Sequence, residues 1–221
     1  IKRLAIIPAR GGSKRLPQKN LLCLGGKPLI AHTISAVINS GCFEKIIFSS
    51  DDDEMLNYAS KYNQLVPVAR CPSLAGDSVK VIDLVRKIAN EHDNQKFDQI
   101  GLFLPTCPFR SAKDIAEGIQ LLTKDDLSVV SVNEMNDPLQ LSLSVDLKSN
   151  IANPEAILSP SPLVTGETRS QDFTNYYRVN GGFYIAWMKK FLDKENFFQG
   201  KVKAYIMDKL HSVDIDHALD L

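Results

Sequence analysis

The chain lacks any uninterrupted apolar run near the ~20 residues that a membrane-spanning helix requires, because Lys, Asp, Asn or Ser breaks each one. It also lacks an excess of either charge. Twenty-six basic residues balance 26 acidic ones across 221 positions, which argues against a nucleic-acid coat or an anionic membrane as partner and makes any cationic function local. Cysteine is scarce and scattered: Cys23, Cys42, Cys71 and Cys107 lack C-x-x-C spacing. With no leading signal segment in the chain as given, they read as reduced thiols of a cytosolic protein. The start at Ile1 without Met leaves room for a few missing terminal residues. The four histidines, His32, His92, His211 and His217, show no ligand spacing; His32 reads as a helix residue and the others as surface. Both common phosphate-binding signatures, G-x-x-x-x-G-K-[ST] and G-x-G-x-x-G, are absent, which excludes the P-loop and dinucleotide-binding motifs. There is no internal repeat and no low-complexity tract.

What is present begins with Ile6-Ile7-Pro8-Ala9-Arg10-Gly11-Gly12-Ser13-Lys14-Arg15-Leu16-Pro17-Gln18-Lys19-Asn20, an apolar strand running into a glycine-bearing, cationic loop. Gly11 and Gly12 permit a sharp turn and a close backbone approach, while Arg10, Lys14, Arg15 and Lys19 supply charge and Ser13 a hydroxyl. Such a loop suits a polyphosphate. A solvated basic turn without a ligand is the plainer alternative, and the number of cations around one glycine pair weighs against it.

Apolar runs alternate with helix-like stretches over roughly the first 130 residues, the pattern of parallel β-α units with helices on both sheet faces. The spacing predicts strands at Leu4-Pro8, Lys45-Ser50, Leu65-Val68, Gln99-Leu104 and Ser128-Val132, and helices near Leu29-Asn39, Glu54-Tyr62, Val79-Glu91 and Ala112-Leu122. Asn39-Ser40-Gly41 supplies a helix stop, and Ser50-Asp53 and Ser111 supply N-caps. Ligands of such sheets sit beyond the carboxyl ends of the strands, where the glycine loop, Ser50-Asp53 and Pro105-Arg110 would open together. From Asn133 to Tyr177 the pattern dissolves into proline-rich turns with a strand expected at Leu141-Asp146. Regular structure resumes at Asn180-Trp187, Val202-Met207 and Ser212-Ile215. One domain over 1–221 with an inserted segment at 133–177 accommodates this length.

In Ser212-Val213-Asp214-Ile215-Asp216, alternation along an extended segment turns Asp214 and Asp216 to one side, with Val213 and Ile215 as the apolar face. Two hard carboxylates completed by water and phosphate oxygens suit Mg²⁺. A solvent-facing acidic pair is the alternative.

The first and last of these motifs, with Arg70-Cys71-Pro72-Ser73-Leu74-Ala75-Gly76-Asp77, Leu104-Pro105-Thr106-Cys107-Pro108-Phe109-Arg110 and Asn180-Gly181-Gly182-Phe183-Tyr184-Ile185, resemble in order those of the acylneuraminate cytidylyltransferases. The resemblance covers the whole chain and implies a mostly parallel, Rossmann-like nucleotidyltransferase sheet with a small projecting dimerisation segment. It implies transfer of CMP from CTP to the anomeric hydroxyl of a nine-carbon α-keto sugar acid, with Mg²⁺ as cofactor, in a cytoplasmic homodimer. Arg10, Gly11, Gly12, Ser13, Lys14 and Asn20 would hold the nucleotide phosphates, and Arg70 and Asp77 would lie beside the cytidine. For Asp77 a helix N-cap before Val79 competes with that role. Arg10, Lys19 and Asp216 carry the implied catalytic roles, and Asp214 with Asp216 the metal.

The sugar-acid side is assigned to Leu104, Gln140, Arg169, Gln171 and Tyr184. Here the chain departs from the pattern: Leu104 replaces a Gln, Gln140 replaces a Lys, and an Arg expected near Gln171 is either supplied by Arg169 or missing. An eight-carbon sugar acid as substrate, or a noncatalytic CTP-sensing module, are the competing readings.

Overall fold

The computed structural model describes residues 1–12, 16–74, 76, 79–92 and 97–220. Its central element is a seven-stranded sheet ordered β11-β7-β10-β6-β1-β4-β5. These are β1 (Arg3–Ala9), β4 (Lys45–Ser50), β5 (Leu65–Ala69), β6 (Gln99–Leu102), β7 (Ser128–Glu134), β10 (Tyr177–Trp187) and β11 (Val202–Ile206). The pairs β1–β4, β1–β6, β4–β5 and β7–β11 run parallel, with Ile6 opposite Ile47 on one side and Leu102 on the other. β10 reverses against β6, running antiparallel to it with Tyr184 opposite Leu102. A short hairpin of β2 (Cys23–Leu24) and β3 (Lys27–Pro28) leads into the first helix.

Central strands covered on both faces read as continuous apolar runs, and Leu4-Ala5-Ile6-Ile7 is one. Side chains alternate across the sheet, so Leu4 and Ile6 join Leu84, Val85 and Ile88 of α3 (Val81–His92) and Phe191 of α6 (Met188–Lys194). Ala5 and Ile7 join the opposite layer. There they meet Ile30 and Ile34 of α1 (Leu29–Ser40), Met55 of α2 (Asp53–Ala59) and Ile115 of α4 (Ala112–Leu121). The expected fold, a mostly parallel sheet with helices on both faces, is the one observed.

Local chemistry sets the helix ends. Asp52 caps α2 by accepting from the Met55 amide, and Ser111 with Asp114 forms a reciprocal capping box at α4. Gly41 ends α1 at φ 62°, a left-handed conformation that glycine adopts without a Cβ penalty. No helix among the described residues is long and apolar enough to cross a membrane.

The chain divides into two compact units, Ile1–Val132 with Val179–Leu221, and Asn133–Arg178. Within the second, Leu141 closes a 3-10 turn after Pro138, so the expected strand at Leu141-Asp146 shortens to β8 (Ser144–Asp146). It pairs with β9 (Ile151–Asn153), and α5 (Pro162–Thr165) follows. The expected regular structure at Ser212-Ile215 is corrected: these residues form no strand. Their backbone is held instead by isolated contacts described below.

Candidate active site

The carboxyl ends of the parallel strands β1, β4 and β6 lie on one edge, and the described residues Arg10, Lys19 and Asn20 of the glycine loop line a cleft there. Beyond Ala9, the Gly11 amide donates to Asp51 Oδ1 at 3.0 Å. A Cβ on Gly11 would stand 2.9 Å from Asp52 Oδ2, so this close approach to the cap of α2 requires glycine. Asn20 is buried and its Nδ2 donates to the Arg10 carbonyl at 3.0 Å, tying the end of the loop to its beginning.

Lys19 is also buried, and its Nζ meets Asp216 Oδ1 at 2.8 Å. That contact joins residues 197 positions apart and brings the cationic loop to the acidic carboxyl-terminal segment. Arg70 enters from the end of β5, with Nη2 donating to the Ser49 carbonyl at 3.1 Å. Burial pushes its guanidinium below the usual arginine range; Asp51 opposes the shift and Arg10 adds to it.

These groups border a cleft of ≈ 260 Å³. Arg10, Lys19, Asn20 and Arg70 are among its polar lining, and Pro8, Leu74, Val79, Leu84 and Leu104 among its apolar lining. The lining therefore combines cationic and amide donors with apolar side chains, chemistry suited to a polyphosphate bearing a ring.

The acidic segment closes the same edge. Ile215 is fully buried and its amide donates to the Thr106 carbonyl at 2.7 Å, Thr106 itself lining the cleft. Asp214 and Asp216 flank it half-buried. Burial foremost, with the Asp214 charge adding, pushes the Tyr184 hydroxyl up to about 12. Burial likewise pushes the Cys107 thiol up to about 11, with Asp214 among the groups that add to it and Arg110 opposing. Among the described residues no cluster of three or more His, Cys, Asp or Glu is assembled. Asp214, and Asp216 at the lining residue Lys19, are the carboxylates that could hold Mg²⁺, which takes only one or two protein oxygens and fills its shell with phosphate and water.

Arg10, Gly11, Lys19, Asn20, Arg70, Leu104 and Asp216 are therefore brought together around one edge, with Asp214 alongside. Gly12, next along the loop, is exposed. Ser13, Lys14, Arg15 and Asp77 lie outside the described residues. Tyr184 lies apart from the cleft lining, its ring against Phe197 and Phe198 at 5.6 and 6.2 Å. Gln140, Arg169 and Gln171 belong to the Asn133–Arg178 unit. Gln140 is buried there and donates to the Thr174 carbonyl at 2.8 Å, while Arg169 and Gln171 are exposed.

Three features escaped the sequence reading. Lys80 and Thr106 line the cleft, and only their places in turns at the carboxyl edge could have drawn notice. Arg110 is fully buried beneath the Leu104-Arg110 turn, donating to the carbonyls of Leu104 and Gly182 and to Thr33 Oγ1, over the Phe103 ring. Burial brings its pKa down to about 10, against the pull of Cys107 and Asp114. His211, expected at the surface, is half-buried with Nδ1 2.8 Å from Asp114 Oδ2, and His92 is half-buried beside Lys45.

A family model described as cytidylyltransferase matches residues 4–217, a span that includes both the glycine loop and Asp216. The chain is 34% identical over 226 residues to the CMP-N,N'-diacetyllegionaminic acid synthase of Legionella pneumophila, covering 98% of this chain and 92% of that protein. It is also 34% identical over 221 residues to the N-acylneuraminate cytidylyltransferase of Streptococcus agalactiae serotype III, covering 98% of this chain and 51% of that protein. Among solved structures, a CMP:2-keto-3-deoxy-manno-octonic acid synthetase complexed with CTP matches with a TM-score of 0.68 over 99% of this chain and 95% of that one. At 16% identity that likeness concerns the fold.

Proposed function

The chain belongs to the cytidylyltransferase family, and from that premise we propose that it transfers CMP from CTP to the anomeric hydroxyl of a nine-carbon α-keto sugar acid, releasing pyrophosphate. The observation that carries the reading is the 2.8 Å Lys19–Asp216 contact, which sets a cationic loop and an acidic segment on one cleft. Nucleotidyl transfer needs both: cations for the charge on the phosphates, and carboxylates for a divalent ion.

In-line attack on the α-phosphorus accumulates negative charge on phosphate oxygens and on the departing pyrophosphate. Lys19 is held in advance by Asp216, and Asn20 fixes the loop backbone at Arg10, so little reorganisation of the Lys19 ammonium is needed as that charge develops. Arg70 adds a third cation at the β5 side, and Leu74, Leu84 and Leu104 offer an apolar face that excludes water from the bound substrates. Asp214 and Asp216 would hold Mg²⁺, which when bound neutralises phosphate charge and orients the α-phosphate. No covalent intermediate is required, so the four free thiols, Cys107 buried and Cys23 and Cys71 exposed, are given no part in the step.

Legionaminate-type, pseudaminate-type and N-acetylneuraminate acids are the substrate candidates, and Leu104 is the side chain on the cleft wall that would discriminate among them. The exposed apolar residues Leu143, Val145, Ile151 and Val164 on the Asn133–Arg178 unit support association with a second copy of the chain. Free cysteines and a CTP requirement support a cytoplasmic setting.

Pyrophosphate release from CTP, measured with Mg²⁺ across nine-carbon acids and one eight-carbon acid, tests the proposal. Release with at least one nine-carbon acid is expected. Preference for the eight-carbon acid would refute the substrate class, and CTP binding without release from any acid would point to a noncatalytic module.

A further inference from the structure

The residues bearing Asp214 and Asp216 form no strand, so no ladder of hydrogen bonds sets their path. Two anchors flank Asp214 instead. The downstream one is Ile215, buried and bonded to Thr106. The upstream one is Ser212, 5% exposed, whose hydroxyl donates to the Asp208 carbonyl at 2.7 Å and accepts from Asn180 Nδ2 at 2.9 Å.

Asn180 is itself 2% exposed and its amide is fully engaged. Its Oδ1 accepts from Ser131 Oγ at 2.6 Å and from the Gly182 amide at 3.0 Å, and its Nδ2 also rests against Met207 Sδ at 3.6 Å. Ser131 in turn accepts from the Phe183 amide at 2.8 Å. The direction of this chain is fixed at its ends, because a backbone N–H can only donate. The amide atom facing Gly182 must be the oxygen, and the nitrogen must face Ser212. Gly182 makes the closure sterically feasible: a Cβ there would lie 2.7 Å from Met207 Cε and 2.8 Å from Ser131 Oγ.

An apolar residue could fill the same space without taking an amide out of water, and a mere filler would need no directional chain. The geometry points to Asn180 as a positioning residue: its carboxamide ties Ser212 to β7 and β10, and thereby sets where the carboxylates of Asp214 and Asp216 stand. Buried as it is, Asn180 acts through Ser212 and touches no substrate. Its catalytic consequence rests on the cytidylyl-transfer reading above, where a displacement near 1 Å of a positioned group costs on the order of a hundredfold in rate.

Three variants test this. Ser212→Ala removes the acceptor, Asn180→Asp keeps the shape but loses the donor, and Ser212→Thr keeps the hydroxyl. Ser212→Ala and Asn180→Asp should lower kcat by roughly ten- to a hundredfold with KM for CTP within about twofold, and Ser212→Thr should restore most of the loss. Two readouts do not need turnover. CTP-dependent binding of Mn²⁺, followed by electron paramagnetic resonance, should weaken in the first two variants, and trypsin should cut faster after the exposed Lys209. If Asn180→Asp does not fold, Ser212→Ala decides alone. Parental kcat and Mn²⁺ affinity in Ser212→Ala, or a loss that Ser212→Thr does not restore, would overturn the assignment. A parent chain that turns over no sugar acid would instead sink the transfer reading, and the Mn²⁺ and trypsin measurements would still decide the positioning role.

Discussion

Replacing Lys19 by methionine separates what this ammonium does for the fold from what it does for the reaction. Methionine keeps the length and packing of a side chain that is 11% exposed, but deletes the charge that meets Asp216. In the free protein the loss is one ion pair whose carboxylate is 40% exposed, so water screens it and its worth is about 1 kcal/mol at most. Part of that returns because the apolar stem no longer has to carry a buried charge. In the transfer step the same ammonium faces developing phosphate charge in a water-poor cleft, where removing one preorganised donor costs about 3–4 kcal/mol. The two estimates differ by enough to be read apart. Lys19→Met should cut kcat/KM for CTP by at least roughly a hundredfold, while the melting temperature falls by no more than about 4 °C. Initial-rate pyrophosphate release at varied CTP and saturating sugar acid, beside thermal melts of both proteins, makes the measurement. A catalytic loss under about fivefold, or unfolding at the assay temperature, would show that Lys19 serves the Asp216 contact as architecture and the reasoning would fail.

Arg10→Ala should raise KM for CTP by about tenfold or more while leaving KM for the sugar acid nearly unchanged, since a charge-assisted contact is worth about 1.5–3 kcal/mol; the reverse pattern in steady-state kinetics would move Arg10 to the acid side. Leu104→Gln restores an amide on the cleft wall and should shift the preference ratio towards N-acetylneuraminate by up to about tenfold, so an unchanged ratio across the acid panel would clear Leu104 of a selectivity role. Replacing Gln140 is a poorer probe, because its amide is buried against the Thr174 carbonyl and a lysine there would place a charge in its own unit's interior. Asp126 gives an acid-stability test: hydrogen bonds from the Thr123 hydroxyl and amide, aided by Lys201, hold its pKa down to about 2 against the opposing effect of burial. Its folded value lies below the unfolded value of ~3.9, so its contribution is complete above that pH and is lost as pH falls towards 2. Melting temperatures from pH 5 to pH 2 should therefore fall less steeply for Asp126→Asn than for the parent, and parallel curves would refute the assignment.

The sheet was legible in the residues because its causes are local. Leu4-Ala5-Ile6-Ile7 is apolar on both faces and has to be covered on both, and the amphipathic stretches at α1, α3 and α4 supply the cover and the crossovers that parallel strands need. At Gly11 the residues announce a close backbone approach, and the partner found there is Asp52, the cap of α2. The strand at Ser212-Ile215 was misread because alternation alone does not make a ladder. Ile215 is buried, but Val213 is half-buried like Asp214 and Asp216, and Ser212, in phase with the aspartates, is buried; the segment is held by Asn180 and Thr106 and pairs with no strand. Partnership at a distance was decided by tertiary structure alone. That Lys19 should meet Asp216, and that the Asn180 amide should face Ser212, follows from the order β11-β7-β10-β6-β1-β4-β5 and from the path of the crossovers. Side-chain periodicity says which face of an element is buried, but not which remote residue that face will find.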